Sequence, residues 1–101
     1  MYTQDQLLEI LSGVEDPDIG QPITDIGLIY EAIQEENGDV RVKMTLTSQF
    51  CPMGDVIKQD VKEILEKDFS INNAYVDMVF DPPWTPERMT EELRLEFGFN
   101  V

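Results

Sequence analysis

The sequence predicts a two-layer α+β domain in which helices pack on a small three-stranded mixed sheet, in the order αββαβα. Apolar positions recur about every 3.6 residues over residues 53–65, which is typical of an amphipathic helix. Residues 40–47 alternate apolar and polar side chains, which is typical of a half-buried strand. The Asn37-Gly38 pair just before them predicts a β-hairpin. With 101 residues, the chain is expected to form one domain over residues 1–101.

A capping box predicts the start of the first helix. Residues 3–6, Thr-Gln-Asp-Gln, have the pattern in which the first side chain and the fourth satisfy each other's backbone N–H groups. Pro17 is expected to end this helix. Its predicted apolar stripe comprises Leu7, Leu8, Leu11 and Val14.

The hairpin consists of two predicted strands. The first covers residues 26–35, and a type I′ turn at Asn37-Gly38 leads to the second. The predicted buried face of the second strand comprises Val40, Val42, Met44 and Leu46. Its predicted polar face comprises Arg41, Lys43, Thr45 and Thr47.

A second helix, a third strand and a last helix follow. The apolar stripe of the second helix comprises Met53, Val56, Ile57, Val61, Ile64 and Leu65, and its water-facing residues are Lys58, Lys62 and Glu66. Residues 74–80 form the third strand, with Val76, Met78 and Phe80 on one face. Residues 85–87, Thr-Pro-Glu, are expected to cap a last helix with the stripe Met89, Leu93 and Phe97. The third strand can lie beside the second through a right-handed crossover or beside the first, so the pattern leaves the strand order open.

The charge balance disfavours two classes of partner. With 21 acidic and 7 basic residues the formal net charge is −14, which repels phosphate backbones and anionic lipids, so we expect neither nucleic acid nor membrane as a partner. No apolar run approaches the roughly 20 residues needed to span a bilayer, and the first residues lack a secretion signal. The single cysteine excludes an internal disulfide. A cytoplasmic location is therefore expected.

The single cysteine, Cys51, is the main candidate for chemistry. It lies where the alternating strand ends and the second helix is predicted to begin, with Pro52 favoured at the first helical position. Unpaired N–H groups and the macrodipole at a helix N-terminus favour a thiolate, the form that binds metal or attacks an electrophile. The alternative is a small buried apolar residue.

Further candidate residues are expected near this loop. Thr47 precedes Cys51, and the hairpin brings the start of the first strand, with Asp25 and the Asp16 turn, next to the end of the second. For Asp16 and Asp25 the alternative is turn and cap formation, because Asp favours such positions. Thr47 is otherwise a strand-surface residue.

Three ordered motifs resemble a known family. They are EDPDIG at residues 15–20 with ITDIGLIY at residues 23–30, MTLT at residues 44–47 leading into Cys51-Pro52, and VFDPPWTP at residues 79–86. From about Leu7 to Phe97 the chain resembles the metal–sulfur cluster assembly-factor domain, which includes SufT-like proteins and the PaaD-like subunits of phenylacetate degradation. The resemblance implies maturation or delivery of iron–sulfur clusters to client apoproteins with the assembly machinery. It also implies that Cys51 is the key thiol and that Asp16, Asp25 and Thr47 surround it.

Two differences from the family pattern affect what the resemblance implies. Gln49-Phe50 stands where the family commonly has a Pro-Gly or similar pair, so the loop is expected to differ in shape, with Phe50 able to shield the site. The chain reaches Val101 without the extra cysteines of the PaaD-like extension. This difference favours a free-standing assembly factor over a subunit linked to aromatic-ring degradation.

Ligand number limits the possible cofactors. Structural zinc and iron–sulfur clusters usually have four ligands, whereas this chain has one Cys and no His. A transient cluster or iron would therefore need a second monomer, a small thiol, a carboxylate such as Asp25, or a partner protein. A non-enzymatic factor is expected, because a cysteine hydrolase typically uses a His base. A thiol-dependent enzyme, a redox-sensing domain and a pure protein–protein adaptor remain alternatives.

Aromatic residues near the end of the chain suggest contacts with other proteins. Trp84 follows a Pro-Pro pair and is either a cover over the core or an exposed anchor for a partner. Phe97, Phe99 and Val101 make the C-terminus apolar, which either closes the core or supports a homodimer.

Overall fold

The computed structural model describes residues 1–47 and 52–98 and has the predicted α+β class. Within these ranges a three-stranded mixed sheet is combined with four α-helices and one 3-10 helix. The elements are α1 (Gln4–Leu11), α2 (Ile23–Ile26), β1 (Ile29–Gln34), β2 (Val40–Met44), α3 (Gly54–Glu66), β3 (Ala74–Met78), the 3-10 helix Pro86–Arg88 and α4 (Glu91–Glu96). Among the helices of these ranges, none combines the length and the hydrophobicity that a transmembrane span requires.

The sheet has the strand order β1-β2-β3. β1 pairs with β2 in the antiparallel sense, and β2 pairs with β3 in the parallel sense, so Val42 lies between Ala32 and Val76. A parallel pair needs a long connection, which the segment containing α3 supplies. The strand order that the sequence leaves open is therefore β3 beside β2. The C-terminal ends of β2 and β3 lie at one edge, here called the carboxyl end of the sheet.

The core lies between the sheet and the helices α1 and α3, and it explains the pattern of β2. Its inward residues Val40, Val42 and Met44 are buried, whereas Arg41 and Lys43 are exposed, as predicted. The other fully buried large side chains are Leu7, Leu11, Ile23, Ile26, Leu28, Thr45, Ile57, Val61 and Leu65.

The predicted capping box is confirmed, but α1 ends earlier than predicted. The Thr3 hydroxyl accepts from the Gln6 N–H at 3.2 Å, and the Gln6 side chain accepts from the Thr3 N–H at 2.9 Å. The helix ends at Leu11, not next to Pro17. The Gly13 and Val14 N–H groups donate to the carbonyls three residues back, of Ile10 and Leu11, and not four residues back as in a continuing helix. The Val14 carbonyl then accepts from the Ile23 N–H at 2.9 Å, so tertiary pairing follows the helix.

The predicted start of the first strand and the predicted turn type are wrong. Residues 23–26 form the helical turn α2, which Gly27 ends with φ 85°, so β1 begins only at Ile29. A type I′ turn needs positive φ at both central residues, but only Gly38 has it, at 90°. The Gly38 N–H donates to the Glu35 carbonyl at 2.9 Å and the Glu35 N–H to the Asp39 carbonyl at 2.7 Å. This three-residue loop has glycine at its left-handed position, and loops of this kind are among the most common hairpin connections after the two-residue turns.

Three side chains near the ends of regular elements have a burial opposite to the one predicted. Thr45 was expected on the polar face but is fully buried, because β2 ends at Met44 and the Thr45 N–H donates to the Leu28 carbonyl at 2.9 Å. Val56, predicted in the stripe of α3, is exposed, and so is Phe80, which follows the end of β3 at Met78.

The last helix also begins later than predicted. Thr85 makes no side-chain cap and precedes the 3-10 helix, whereas Thr90 caps α4 by accepting from the Leu93 N–H at 3.4 Å. Met89 and Leu93 are buried as predicted, but Phe97 is exposed.

Tyr2 attaches the N-terminus to the rest of the fold. Its N–H donates to the Gln34 side chain at 2.8 Å, and its hydroxyl donates to Asp68 at 2.6 Å. The Tyr2 hydroxyl, followed by the Ser70 backbone N–H, lowers the pKa of the Asp68 carboxyl. The same hydrogen bond to Asp68 raises the pKa of Tyr2.

We predict that the stability of the Tyr2→Phe variant decreases less than that of wild type as the pH is lowered. The pKa of Asp68 is lowered in the folded state, so the ionised carboxylate stabilises the fold. This stabilisation is fully present above the ordinary carboxyl pKa and is lost as the pH falls through the folded-state pKa. The difference in thermal midpoint between wild type and Tyr2→Phe should therefore shrink from about pH 5 downward. A difference that stays constant through this range would contradict the role of the bond.

Candidate functional site

The loop between β2 and α3 lies at the carboxyl end of the sheet and contains Cys51. Residues 48–51 lie outside the described ranges, so the expected position of Cys51 at the start of the helix stays a prediction. The prediction that Pro52 is the first helical residue is wrong. Pro52 lies in a turn, and α3 begins at Gly54, with Met53 at the N-cap. A Cβ on Gly54 would lie 2.8 Å from the Leu46 side chain. The glycine therefore lets the start of α3 approach the chain that follows β2.

Asp16 organises a tight turn. It is 2% exposed, and its Oδ1 accepts from the Asp18 N–H at 2.8 Å and from the Ile19 N–H at 3.3 Å. The Gly20 N–H adds a bond to the Asp16 carbonyl at 2.7 Å. These contacts match the turn-forming alternative considered for this residue, and they position Ile19.

Asp25 lies in α2, whose last carbonyls are held by the chain segment 84–90. The Asp25 carbonyl accepts from the Thr90 N–H at 2.9 Å. The Ile26 carbonyl accepts from the Trp84 indole N–H at 2.9 Å, and the Gly27 carbonyl accepts from Arg88 Nε at 3.0 Å. Carbonyls at the end of a helix lack helical partners, so this segment satisfies three consecutive groups. The Asp25 carboxylate accepts no hydrogen bond from residues 1–47 or 52–98.

Trp84 both packs against the core and lines a pocket that is open to solvent. The indole is half-buried, packs against the core and donates to Ile26, which fits the alternative of a core cover. It also lines an apolar pocket of about 280 Å³. The pocket is lined by Ile19, Thr47, Trp84, Met89 and Phe97.

The pocket brings together some of the predicted site residues but not all. Thr47 and Trp84 share it, whereas Asp16 and Asp25 do not line it. The Asp16 turn instead contributes Ile19. Sequence reasoning did not assign Ile19, Met89 or Phe97 to this site, because Met89 and Phe97 follow the ordinary stripe of a helix. Among the described residues, no three His, Cys, Asp or Glu side chains are grouped closely enough to hold a metal ion.

We predict that Gly27→Ala strongly destabilises the protein. Gly27 has φ 85°, and a Cβ there would lie 2.2 Å from the Arg88 carbonyl oxygen, so both the backbone conformation and the approach of the 84–90 segment require glycine. We expect a loss of at least about 2 kcal/mol in the free energy of unfolding, measured by urea denaturation. Gly20→Ala is the matched control, since Gly20 also has positive φ but nothing lies within 4 Å of its added Cβ. Equal losses in the two variants would contradict the role of the close approach.

A second prediction concerns the indole hydrogen bond. Trp84→Phe keeps an aromatic ring but leaves the Ile26 carbonyl without this donor, so we expect a loss of about 1 kcal/mol in the free energy of unfolding. Trp84→Ala should cost more, because it also removes the packing. A phenylalanine variant as stable as wild type would show that the bond contributes nothing.

The fold and the site together define a class of protein. This class is a small α+β domain in which a connection through a helix joins two parallel strands, and in which Thr47, shortly after the first of these strands, lines an apolar pocket. Residues 4–69 match the model of the iron-sulfur cluster assembly protein family, and the chain belongs to that family. The family resemblance read from the sequence is thereby confirmed.

Relatives and a solved structure agree over nearly the whole chain. An Fe-S protein maturation auxiliary factor of Porphyromonas gingivalis is 36% identical over 99 residues, which cover 98% of this chain and 94% of the relative. The Fe-S protein maturation auxiliary factor SufT of Staphylococcus aureus is 38% identical over 84% of this chain and 97% of the relative. The crystal structure of DUF59, a domain of unknown function from Bacillus anthracis, superposes with a TM-score of 0.88 at 35% identity, covering 96% of this chain and 92% of that chain. This structural similarity confirms the predicted fold class.

Proposed function

We propose that this protein is a non-enzymatic accessory factor that assists the assembly of iron–sulfur clusters or their delivery to client apoproteins. The observation that carries the proposal is the family match over residues 4–69. The relatives named as Fe-S protein maturation auxiliary factors, which align along most of this chain, support it further. The expected partners are the assembly machinery and the clients, and a cytoplasmic location stays a prediction.

In this proposal Cys51 is the residue that contacts iron. A cluster usually takes four thiolate ligands, and one chain supplies one Cys and no His. The cluster or iron is then a transient cargo, with the other ligands coming from a second copy, a small thiol or the partner. A cargo with so few ligands from its carrier is readily passed on, which suits transfer.

The other predicted site residues are proposed to have different roles. Asp25 is the candidate carboxylate ligand, because its side chain accepts no hydrogen bond from any described residue. Asp16 acts indirectly by holding the Ile19 turn at the pocket rim. Thr47 and Trp84 line that pocket and are proposed to contact the partner or the cargo.

A pure adaptor is the second candidate function. The observation that favours it is that the sequence supplies one Cys and no His, fewer than the four ligands that an iron–sulfur cluster usually takes. A thiol enzyme or redox sensor has less support, because the sequence offers no His as a base. A subunit linked to phenylacetate degradation also has less support, since a relative is named SufT.

Anaerobic reconstitution with iron and sulfide separates carrier from adaptor. We predict that wild type gains visible absorbance and bound iron and sediments as a defined dimer, whereas Cys51→Ser gains none of these. The control Cys51→Ser/Ser48→Cys keeps one thiol per chain but moves it by three positions, and it should behave like the serine variant.

Two results would change the interpretation. A chromophore that persists in Cys51→Ser would exclude the thiol as a ligand. Failure of wild type to bind iron, with client maturation still lost on gene deletion, would establish the adaptor.

A further inference from the structure

Strand β3 has one edge paired with β2 and one edge that faces away from it. The Val40 N–H donates to the Asn73 carbonyl at 2.8 Å, and the Val79 N–H donates to the Met44 carbonyl at 2.8 Å. In a parallel ladder, backbone groups point alternately to the two sides, so residues 73, 75, 77 and 79 face β2. Residues 74, 76 and 78 therefore direct their N–H and C=O groups outward.

Most of these outward groups are available. The Ala74 N–H donates to the Glu66 carboxylate at 3.2 Å, which occupies the start of the edge. The N–H groups of Val76 and Met78 donate to nothing within residues 1–47 and 52–98. An unpaired strand edge of this kind can accept another extended chain.

A groove follows this edge between β3 and α3. Its volume is about 470 Å³, and residues 74–77 of β3 form one side. The other side is formed by Asp55, Lys58, Gln59 and Lys62, which have the spacing i, i+3, i+4, i+7 of one helix face. We call this feature the β3–α3 groove.

The groove contains a large share of the basic side chains of this acidic protein. Three of the 7 basic residues of this −14 chain line it, namely Arg41, Lys58 and Lys62, against the two carboxylates Asp55 and Asp77. Arg41 is already engaged, since it bonds Glu35 at 2.7 Å and its guanidinium lies 4.8 Å from the centre of the Tyr75 ring.

The two lysines are the groups left for a ligand. Neither Lys58 nor Lys62 forms an ion pair with any residue in the described part of the chain. They lie four residues apart on α3, an arrangement in which like charges repel and a bound carboxylate would relieve the repulsion.

We propose that the β3–α3 groove binds an extended segment of a partner protein as a fourth strand beside β3, with acidic side chains at alternate positions contacting Lys58 and Lys62. Four residues of a helix rise about 6 Å. Alternate residues of a strand are about 6.6 Å apart, so two carboxylates in a Glu-x-Glu pattern match the two lysines. The intervening side chain points to the opposite face, where Tyr75 is exposed. This inference goes beyond the proposed function and does not depend on the role of Cys51.

The side-chain part of the proposal is tested with a fluorescein-labelled nine-residue peptide of Val and Thr with a central Glu-x-Glu. The Glu peptide should bind, as read by fluorescence anisotropy, and a matched Gln-x-Gln peptide should bind more weakly. Lys58→Gln and Lys62→Gln should each weaken binding about two- to five-fold, the range of an exposed ion pair. Lys67→Gln removes the same charge from an exposed residue outside the groove and should leave the affinity unchanged.

The backbone part is tested at Val76. Val76→Pro removes an outward N–H without removing a ladder bond to β2, so it should abolish binding, whereas Val76→Ala keeps the N–H and should retain it. Urea unfolding verifies that both variants fold, and if the proline variant does not, the lysine variants decide.

Three results would overturn the proposal: absence of peptide binding, equal binding of the Glu and Gln peptides, or equal effects of the lysine variants and the Lys67→Gln control. Sedimentation adds one more test. A wild-type dimer that Val76→Pro dissociates would show that the edge pairs with a second copy of the chain instead.

Discussion

The arrangement of the pocket depends on how the carbonyls at the end of α2 are satisfied. A four-residue helix has few internal hydrogen bonds, so its carbonyls need partners from elsewhere. The segment 84–90 supplies three different donors to three consecutive carbonyls, namely a backbone N–H, an indole N–H and a guanidinium N–H. Gly27 permits the close approach because it has no Cβ.

Further contacts make this junction specific. The Arg88 guanidinium lies 4.0 Å from the centre of the Tyr30 ring, and the Tyr30 hydroxyl donates to the Pro82 carbonyl at 2.6 Å. The junction positions Trp84 and Met89 against Ile19 and Thr47, although the two groups are far apart in sequence. The pocket is thus a product of tertiary hydrogen bonding and not of any local motif.

Periodicity was sufficient for the central elements and insufficient at their ends. The alternation of β2 and the stripe of α3 reflect burial on one face, which sequence records directly. The predicted first strand begins at Ile26, because Ile favours strands. That preference is overridden, since residues 23–26 form the helical turn that Gly27 completes. Thr45 is buried because the chain leaves the ladder after Met44, and no local pattern reports where a strand stops.

The site was predictable to a similar extent. Thiol chemistry makes Cys51 the candidate, which stays a prediction because residues 48–51 lie outside the described ranges. The turn preference of Asp anticipated the hydrogen bonds of Asp16. The pocket shared by Thr47 and Trp84 depends on the docking of segment 84–90, which sequence spacing does not encode. Lys58 was assigned correctly to the water-facing side of its helix. Its nearness to β3 follows only from the strand order, which the sequence left open.

The junction at α2 also has a consequence for synthesis on the ribosome. The carbonyls of residues 25–27 emerge early, whereas their donors at residues 84, 88 and 90 are translated more than fifty residues later. Until then the nascent chain exposes these carbonyls and the apolar surface that Trp84 and Met89 cover. The sheet and α3 can assemble during elongation, but the pocket is completed only after residues 84–97 have also been translated.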